Sequence, residues 1–362
     1  MAASVALAAA SQGADVAWIA PTYKNSRPLW RMIESFVTPI LPVASISKSD
    51  RSVTFRNGGA VSIFTADNPV GILGNAFDIV IGDEVARWSE NIWAETIMPT
   101  LADRAGRAML ISTPKGRNWF WREWMRGVNN EAGYASFTAP SSDNPNPNIK
   151  RAALMARERV PERTYRQEWL AEFIDNSGNV FRNIRECATA ELQSKANGTS
   201  RYTVGIDWAR SNDFTVITVI DQTKREVCHI DRFTGIGYQL QLGRLSAIVE
   251  RFKPAHIVAE SNSMGGPLVE AIQRKGWPVH AFNTTNASKG EIIDGLALAL
   301  ERMDIKIPND PVLIGELIAY EMETTKSGLI RYGAPDGMHD DMVMSLALAY
   351  SSVASSSRGI YL

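Results

Sequence analysis

Four acids in the second half of the chain border apolar segments. Asp207 closes Tyr202-Thr-Val-Gly-Ile206, a run rich in β-branched and aromatic residues that suits a buried strand. Glu260 closes Ile257-Val-Ala259, and Asp340-Asp341 precede Met342 to Tyr350, a nearly all-apolar stretch that must be buried as a helix. A carboxylate in such a setting is costly to bury unpaired. Three carboxylates from three segments can share two Mg²⁺ or Mn²⁺ ions roughly 4 Å apart, one ion activating water and the other steadying a leaving 3′ oxygen. Hard cations take oxygen ligands, and the chain has no His/Cys cluster to suit zinc. Asp207, Glu260 and Asp341 are the expected ligands. Adjacent helical residues lie about 100° apart, so Asp340 and Asp341 do not face one ion equally, and Asp340 reads as a helix cap or second ligand. Asp213 either joins the metal or caps its turn. Taken alone, Asp207 reads equally well as a strand-end turn cap.

The first half carries a different acidic pattern, Phe77-Asp-Ile-Val-Ile-Gly-Asp83-Glu84. An apolar strand ending in Asp-Glu is the Walker B pattern, in which Asp83 holds Mg²⁺ through water and Glu84 polarises the attacking water. Ala108-Met-Leu-Ile111 is another buried strand, and it ends in Ser112-Thr113-Pro-Lys-Gly116. Two strands with polar ends in this order fit the parallel sheet of an NTPase.

The elements that must position these groups can be read along the chain. Ala2 to Ala10 is a helix, Asp15 to Ala20 a buried strand stopped by Pro21, and Pro28 to Phe36 a helix with Pro near its first turn. Ser52 to Phe55 and Ala60 to Phe64 flank Asn57-Gly-Gly59, a hairpin signal. Arg210-Ser-Asn-Asp213 is a polar turn between the Asp207 strand and a second strand, Phe214 to Ile220. Ser261 to Gly266 is a loop, Pro267 to Lys275 a helix, Pro278 to Phe282 a strand, Ser288 to Met303 an amphipathic helix and Ile305 to Pro308 a short extended piece. The fold expected is α/β: an incomplete P-loop NTPase-like parallel-sheet domain at 1–175, a linker at 176–200 and a second domain at 201–362. Two cysteines exclude a disulfide framework, and no apolar run is long enough to span a membrane. The net charge of -1 gives no global attraction to nucleic acid. Any DNA binding must therefore come from local patches. Residues 101–170 carry twelve Lys and Arg against seven Asp and Glu, interleaved with Trp119, Phe120, Trp121 and Trp124. The aromatics read as core; arginines such as Arg117 and Arg122 either meet phosphates or are simply solvated.

Ile19-Ala-Pro-Thr-Tyr23, Asp78-Ile-Val-Ile-Gly-Asp83-Glu84 and Ser112-Thr-Pro-Lys-Gly116 together resemble the ATPase domain of the large terminase subunit of tailed bacteriophages. Gly205-Ile-Asp207 with Asp213, Glu260-Ser-Asn262, Ser288-Lys289-Gly-Glu291 and His339-Asp-Asp341 resemble the RNase H-like nuclease domain of the same family. The resemblance implies DNA packaging, ATP-Mg as cofactor, coupling of hydrolysis to DNA movement through Ser112 and Thr113, and cleavage of concatemeric duplex DNA. Lys289 and His339 become candidate phosphate contacts. It further implies a small terminase subunit, a portal protein on the procapsid and a homo-oligomer on that portal as partners. The place implied is the host cytoplasm, with transient residence on the procapsid. The chain departs from the family in two ways: it has no G-x-x-x-x-G-K-[ST] phosphate loop, and it has Ile72-Leu73-Gly74 where many relatives have Leu-Arg-Gly. The chain starts about where the helix after that loop should run, whether through a cloning boundary, a misplaced start codon, a split gene or real loss, and the expectation is that it does not hydrolyse ATP by itself. Another RNase H-like enzyme, of the resolvase, recombinase or transposase type, would leave the upstream Asp83-Glu84 and Ser112-Thr-Pro order unexplained. A decayed, non-catalytic packaging protein would leave the nuclease acids unexplained.

Overall fold

The computed structural model describes residues 2–37, 43–174, 179–208, 213–262, 265–324, 330–335 and 337–358, with backbone alone at 36–37, 43–44, 324, 330 and 354–358. Arg210 to Asn212 of the expected turn and residues 263–264 of the expected loop lie outside the described residues. The chain divides into two compact units. One contains Met1–Ser141 and Arg166–Asp175; the other contains Ser142–Tyr165, Asn176–Glu323 and Ile330–Leu362.

In the first unit, six strands form one sheet in the order β2-β3-β4-β1-β5-β6. They are β1 (Asp15–Ala20), β2 (Val43–Ser47), β3 (Ser52–Phe55), β4 (Ala60–Thr65), β5 (Ile79–Asp83) and β6 (Arg107–Ile111). β1 runs parallel to β4 and β5, and β5 runs parallel to β6; β2 and β3 are antiparallel additions at one edge. Parallel strands are covered on both faces and so read as continuous apolar runs, as β1 and β5 do. One face packs Val16, Trp18 and Ile81 with the Ala2–Ala10 helix, and the other packs Ile19 and Val80 with Trp88, Trp93 and Trp119. Trp93 and Trp119 are stacked with centroids 6.0 Å apart, so Trp119 and Phe120 of the basic stretch do build core, while Trp121 and Trp124 are half-buried.

The second unit holds a five-stranded sheet in the order β11-β10-β7-β8-β9. Its strands are β7 (Tyr202–Asp207), β8 (Thr215–Asp221), β9 (Glu226–Phe233), β10 (His256–Glu260) and β11 (Val279–Phe282). β7, β8 and β9 form an antiparallel meander, and β10 and β11 extend the other side in parallel. One face is covered by the Asn286–Glu301, Pro311–Ala319 and Asp341–Arg358 helices, and the other by Tyr238–Phe252 and Gly265–Arg274. A short pair, β12 (Glu321–Thr324) and β13 (Ile330–Gly333), stands apart. Ile305 to Pro308 is extended as expected, with Lys306 bridging Glu226 and Pro308 bridging Ala190. His256 and His280 meet near the surface, with Nδ1 and Nε2 3.4 Å apart. His280 lies on the edge strand β11 and is exposed, and His256 beside it on β10, the next strand in, is half-buried.

Candidate active site

Strand register brings the acids of the second unit together. Ile206 of β7 lies opposite Ala259 of the parallel strand β10, so the next residues, Asp207 and Glu260, end their strands side by side. On the other side, Asp207 lies opposite Val216, which lies opposite Arg232 of β9. The last helix, Asp341–Arg358, brings the remaining acids. It lies directly on β7 because Gly205 has no side chain: a Cβ there would sit 2.2 Å from the Ser345 carbonyl oxygen and 2.3 Å from the Ala349 nitrogen. Ser345 Oγ fixes the approach by donating to the Gly205 carbonyl at 3.0 Å, with Thr218 Oγ1 2.9 Å away. The start of that helix therefore faces the end of the strand bearing Asp207.

Burial and the adjacent Glu260, Asp341 and Asp340 charges raise the Asp207 carboxyl well above the usual range, and a hydrogen bond with Glu260 adds to the rise. Asp341 is pushed up to about 7, first by burial and then by Asp213 and Glu316. Its side chain is only 8% exposed, and its Oδ2 has no hydrogen-bond partner; His339 Nδ1 is 3.5 Å away. His339 Nδ1 also lies 2.8 Å from Asp213 Oδ1, and its ring meets Phe214 edge-on at 5.3 Å. One ligand atom from each of Asp213, His339 and Asp341 falls within 4.8 Å of the others. Lys289 Nζ donates to Asp340 Oδ2 at 2.9 Å, so its charge is already engaged inside the cluster.

Asp340 does not cap the last helix, contrary to one of the two roles its position suggested. The N–H groups it would cap, those of Met342 and Val343, are bonded at 2.8 and 3.3 Å to Glu316 Oε2 from the Pro311–Ala319 helix. Glu316 was missed in the sequence; the available signal was a lone acid inside the apolar run Pro311-Val-Leu-Ile-Gly-Glu-Leu-Ile-Ala319. It is buried and titrates at about 7, raised by burial and partly offset by those two backbone donors.

The acids of the first unit stand at the end of β5. Asp83 lies opposite Ile111 of β6, which puts Ser112 level with Glu84. Ser112 Oγ accepts from Ala86 N at 3.2 Å and donates to the Thr113 carbonyl at 2.9 Å. Asn118 Nδ2 donates to the Ala86 carbonyl at 2.9 Å, so the turn after Glu84 is gripped from both sides. Glu84 itself is left-handed, with φ 52°, a conformation uncommon for a residue with a side chain. Burial, then the neighbouring Glu84 charge, raises Asp83. Arg122 pairs with Glu90 at 2.5 Å on the exposed side of the Trp119–Val128 helix, and the Arg117 guanidinium lies 5.4 Å from the Trp121 ring.

The acids of the two units thus end two different sheets. Residues 22–186 match the model of the N-terminal part of the T4likevirus-type terminase large subunit, and residues 204–353 match the terminase RNaseH-like domain. The chain is 32% identical over 377 residues to the terminase large subunit of Thermus phage G20c, covering 92% of this chain and 77% of that one. It is 32% identical over 312 residues to the corresponding protein of Thermus virus P23-45, covering 79% and 64%. It shares the fold of the large terminase of another thermophilic bacteriophage, with a TM-score of 0.60 at 14% identity over 97% of this chain and 89% of that chain. The chain belongs to the large terminase subunit family, the phage DNA-packaging proteins in which an ATPase-like domain precedes an RNase H-like nuclease domain.

Proposed function

We propose that Asp207, Glu260 and Asp341 form the cutting centre for duplex DNA, with Asp340 and Asp213 completing its acidic wall. The observation that carries this reading is the convergence of acids from separate segments, with the buried Asp341 Oδ2 lacking any hydrogen-bond partner. An all-oxygen set around a single imidazole fits a hard divalent cation such as Mg²⁺ or Mn²⁺. When bound, such ions supply Lewis-acid stabilisation of phosphoryl oxygens and a water of lowered pKa. The protein's part is to hold the carboxylates against their mutual repulsion. β7 and β10 do this by register, and the last helix does it by its seat on Gly205. His339 is held between Asp213 and Phe214, and we assign it as a contact for the DNA phosphate. Lys289 neutralises part of the acidic wall through Asp340.

In the first unit, Asp83 and Glu84 serve Mg²⁺ and water at an ATP site, and Ser112 and Thr113 relay its state from the end of β6. Function then divides as an ATPase-like part at 1–175, a linker at 176–200 and a nuclease at 201–362. Arg117 and Arg122 contribute phosphate contacts. The working assembly includes a small terminase subunit, the portal protein on a procapsid and further copies of this chain, in the host cytoplasm. Among the described residues no helix is long and apolar enough to cross a membrane. The test is nicking of supercoiled plasmid in Mn²⁺: cleavage by the wild type and none by Asp207→Asn supports the reading. Equal cleavage by both overturns it, and no cleavage by either favours a non-catalytic packaging role.

A further inference from the structure

We propose that Glu316 is a positioning residue of the nuclease centre: it caps the last helix in place of Asp340, which leaves the Asp340 and Asp341 carboxylates available to a divalent cation. This inference rests on the metal-centre reading above.

The N–H groups of a helix's first turn have no acceptor within the helix, and an Asp just before the helix normally folds back to take them. Asp340 holds that place; its carbonyl accepts from Met344 N at 2.9 Å. Its side chain would take the N–H groups of Met342 and Val343. Glu316 Oε2 already accepts from both. Asp340 turns instead to Lys289, and Asp341 keeps a buried oxygen without a partner. Glu316 reaches the helix start from a rigid base. Its own helix is capped by Asp310, whose Oδ1 accepts from Val312 N and Leu313 N at 2.8 and 3.0 Å, and is anchored by buried Leu313 and Leu317.

A second contact ties Glu316 to the sheet. Its Oε1 has no hydrogen bond and lies 4.0 Å from Arg232 Nη2. Arg232 occupies the row that runs through Val216 to Asp207, and its guanidinium lies 3.4 Å from the centre of the Phe214 ring. Glu316 therefore joins the two supports of the centre, the start of the last helix and the strand row ending in Asp207. A tether of this kind sets how far apart the acids of helix and strand stand. Partners just outside a metal's ligands typically change its affinity by about 10- to 100-fold when removed.

The experiment measures Mn²⁺ binding to the whole 362-residue chain by calorimetry and by the free-Mn²⁺ electron paramagnetic resonance signal, with metal-free thermal melting alongside. Glu316→Ala should weaken Mn²⁺ binding at least about tenfold, because Asp340 then turns back to cap its own helix. Glu316→Gln keeps an acceptor oxygen at the same reach and should stay within about threefold of wild type, a small effect beside that loss. A purely structural role would lower the metal-free melting temperature and leave Mn²⁺ affinity unchanged, and that result overturns the proposal, as does a Gln variant as weak as the Ala variant. If Glu316→Ala does not fold, Glu316→Asp, which draws the acceptor back by one methylene, replaces it; wild-type affinity in that variant overturns the proposal equally. Asp207→Asn is the control. If wild type binds no Mn²⁺ more tightly than Asp207→Asn does, the metal-centre reading fails and this proposal fails with it. If wild type binds and Glu316→Ala binds equally well, only this proposal fails.

Discussion

At the end of β5, Asp83 and Glu84 come from one stretch of chain; at the end of β7, Asp207 meets acids delivered by β10, the turn before β8 and the last helix. The first pair needs only one strand and one tight turn. The second set exists only when tertiary structure is complete; burial first and then several crowded carboxylates raise Asp207 and Asp341, whereas burial and then the single neighbour Glu84 raise Asp83. On the proposed roles, the difference follows from what each site does with its cation. An ATP site shares Mg²⁺ with the nucleotide's phosphates, so two acids suffice. A nuclease centre of this kind must hold its ions by protein ligands against a polyanion, and the carboxylates must be forced together in advance.

The largest expected effect separates the two sites. Asp207→Asn should abolish metal-dependent plasmid nicking with the far-UV circular dichroism unchanged, whereas Glu84→Gln should leave nicking at the wild-type rate. Nicking lost in Glu84→Gln as well would show that the sites are not independent. Next, residues 1–362 by themselves should turn over ATP slower by orders of magnitude than a protein extended upstream to include a phosphate loop, because positioning supplies most of phosphoryl-transfer catalysis. Glu84→Gln in the extended protein should remove that turnover. Robust turnover from 1–362 alone, in a phosphate-release assay, would break the contrast between the two sites.

A smaller effect follows from the raised carboxyls. Asp341 titrates near 7 instead of 3.8, so over that interval the folded chain holds more protons than the unfolded one. Stability must then fall as pH rises through it. Metal-free protein should melt a few degrees lower at about pH 8 than at about pH 5, and Mn²⁺ should restore more at the higher pH. Asp341→Asn should reduce the slope, leaving the part due to Glu316 and Asp207; a wild-type slope in that variant would remove Asp341 as a cause. The smallest effect concerns Arg117 and Arg122. Changing both to Ala should weaken duplex binding for all sequences alike and reduce the salt slope by about 1 per lost phosphate contact. An unchanged slope in a filter-binding titration would leave Arg122 as the surface partner of Glu90 alone.

Much of this arrangement was legible before folding. Asp15–Ala20, the Asn57-Gly-Gly59 hairpin and the strands ending in Asp83, Asp207 and Glu260 are short apolar runs with sharp polar ends, and local pattern suffices to find them. β9 was not found, because Glu226-Val-Cys-His-Ile-Asp-Arg-Phe233 mixes polar residues along a strand at the sheet edge and lacks clean alternation. The Pro311–Ala319 helix was missed because its apolar residues go all the way round, which hides the helical period. With that helix unseen, Glu316 had nowhere to act, and Asp340 remained a candidate cap. The Lys289–Asp340 pair joins residues far apart in sequence, and only packing of the two helices on one sheet face decides it.

The seat of the last helix on Gly205 has a consequence for how the molecule is made. Synthesis delivers β7 early and residues 339–345 late, and domains form as their segments emerge. Until residues 339–345 arrive, Asp207 and Glu260 end two interior strands of a sheet whose helical cover is unfinished, and the proposed centre is incomplete. A nascent chain, or one interrupted before residue 340, carries Asp207, Asp213 and Glu260 but neither Asp340 and Asp341 nor the helix that seats them on Gly205. The proposed centre is thus timed by chain order: its acids are complete only once most of the domain has already been synthesised.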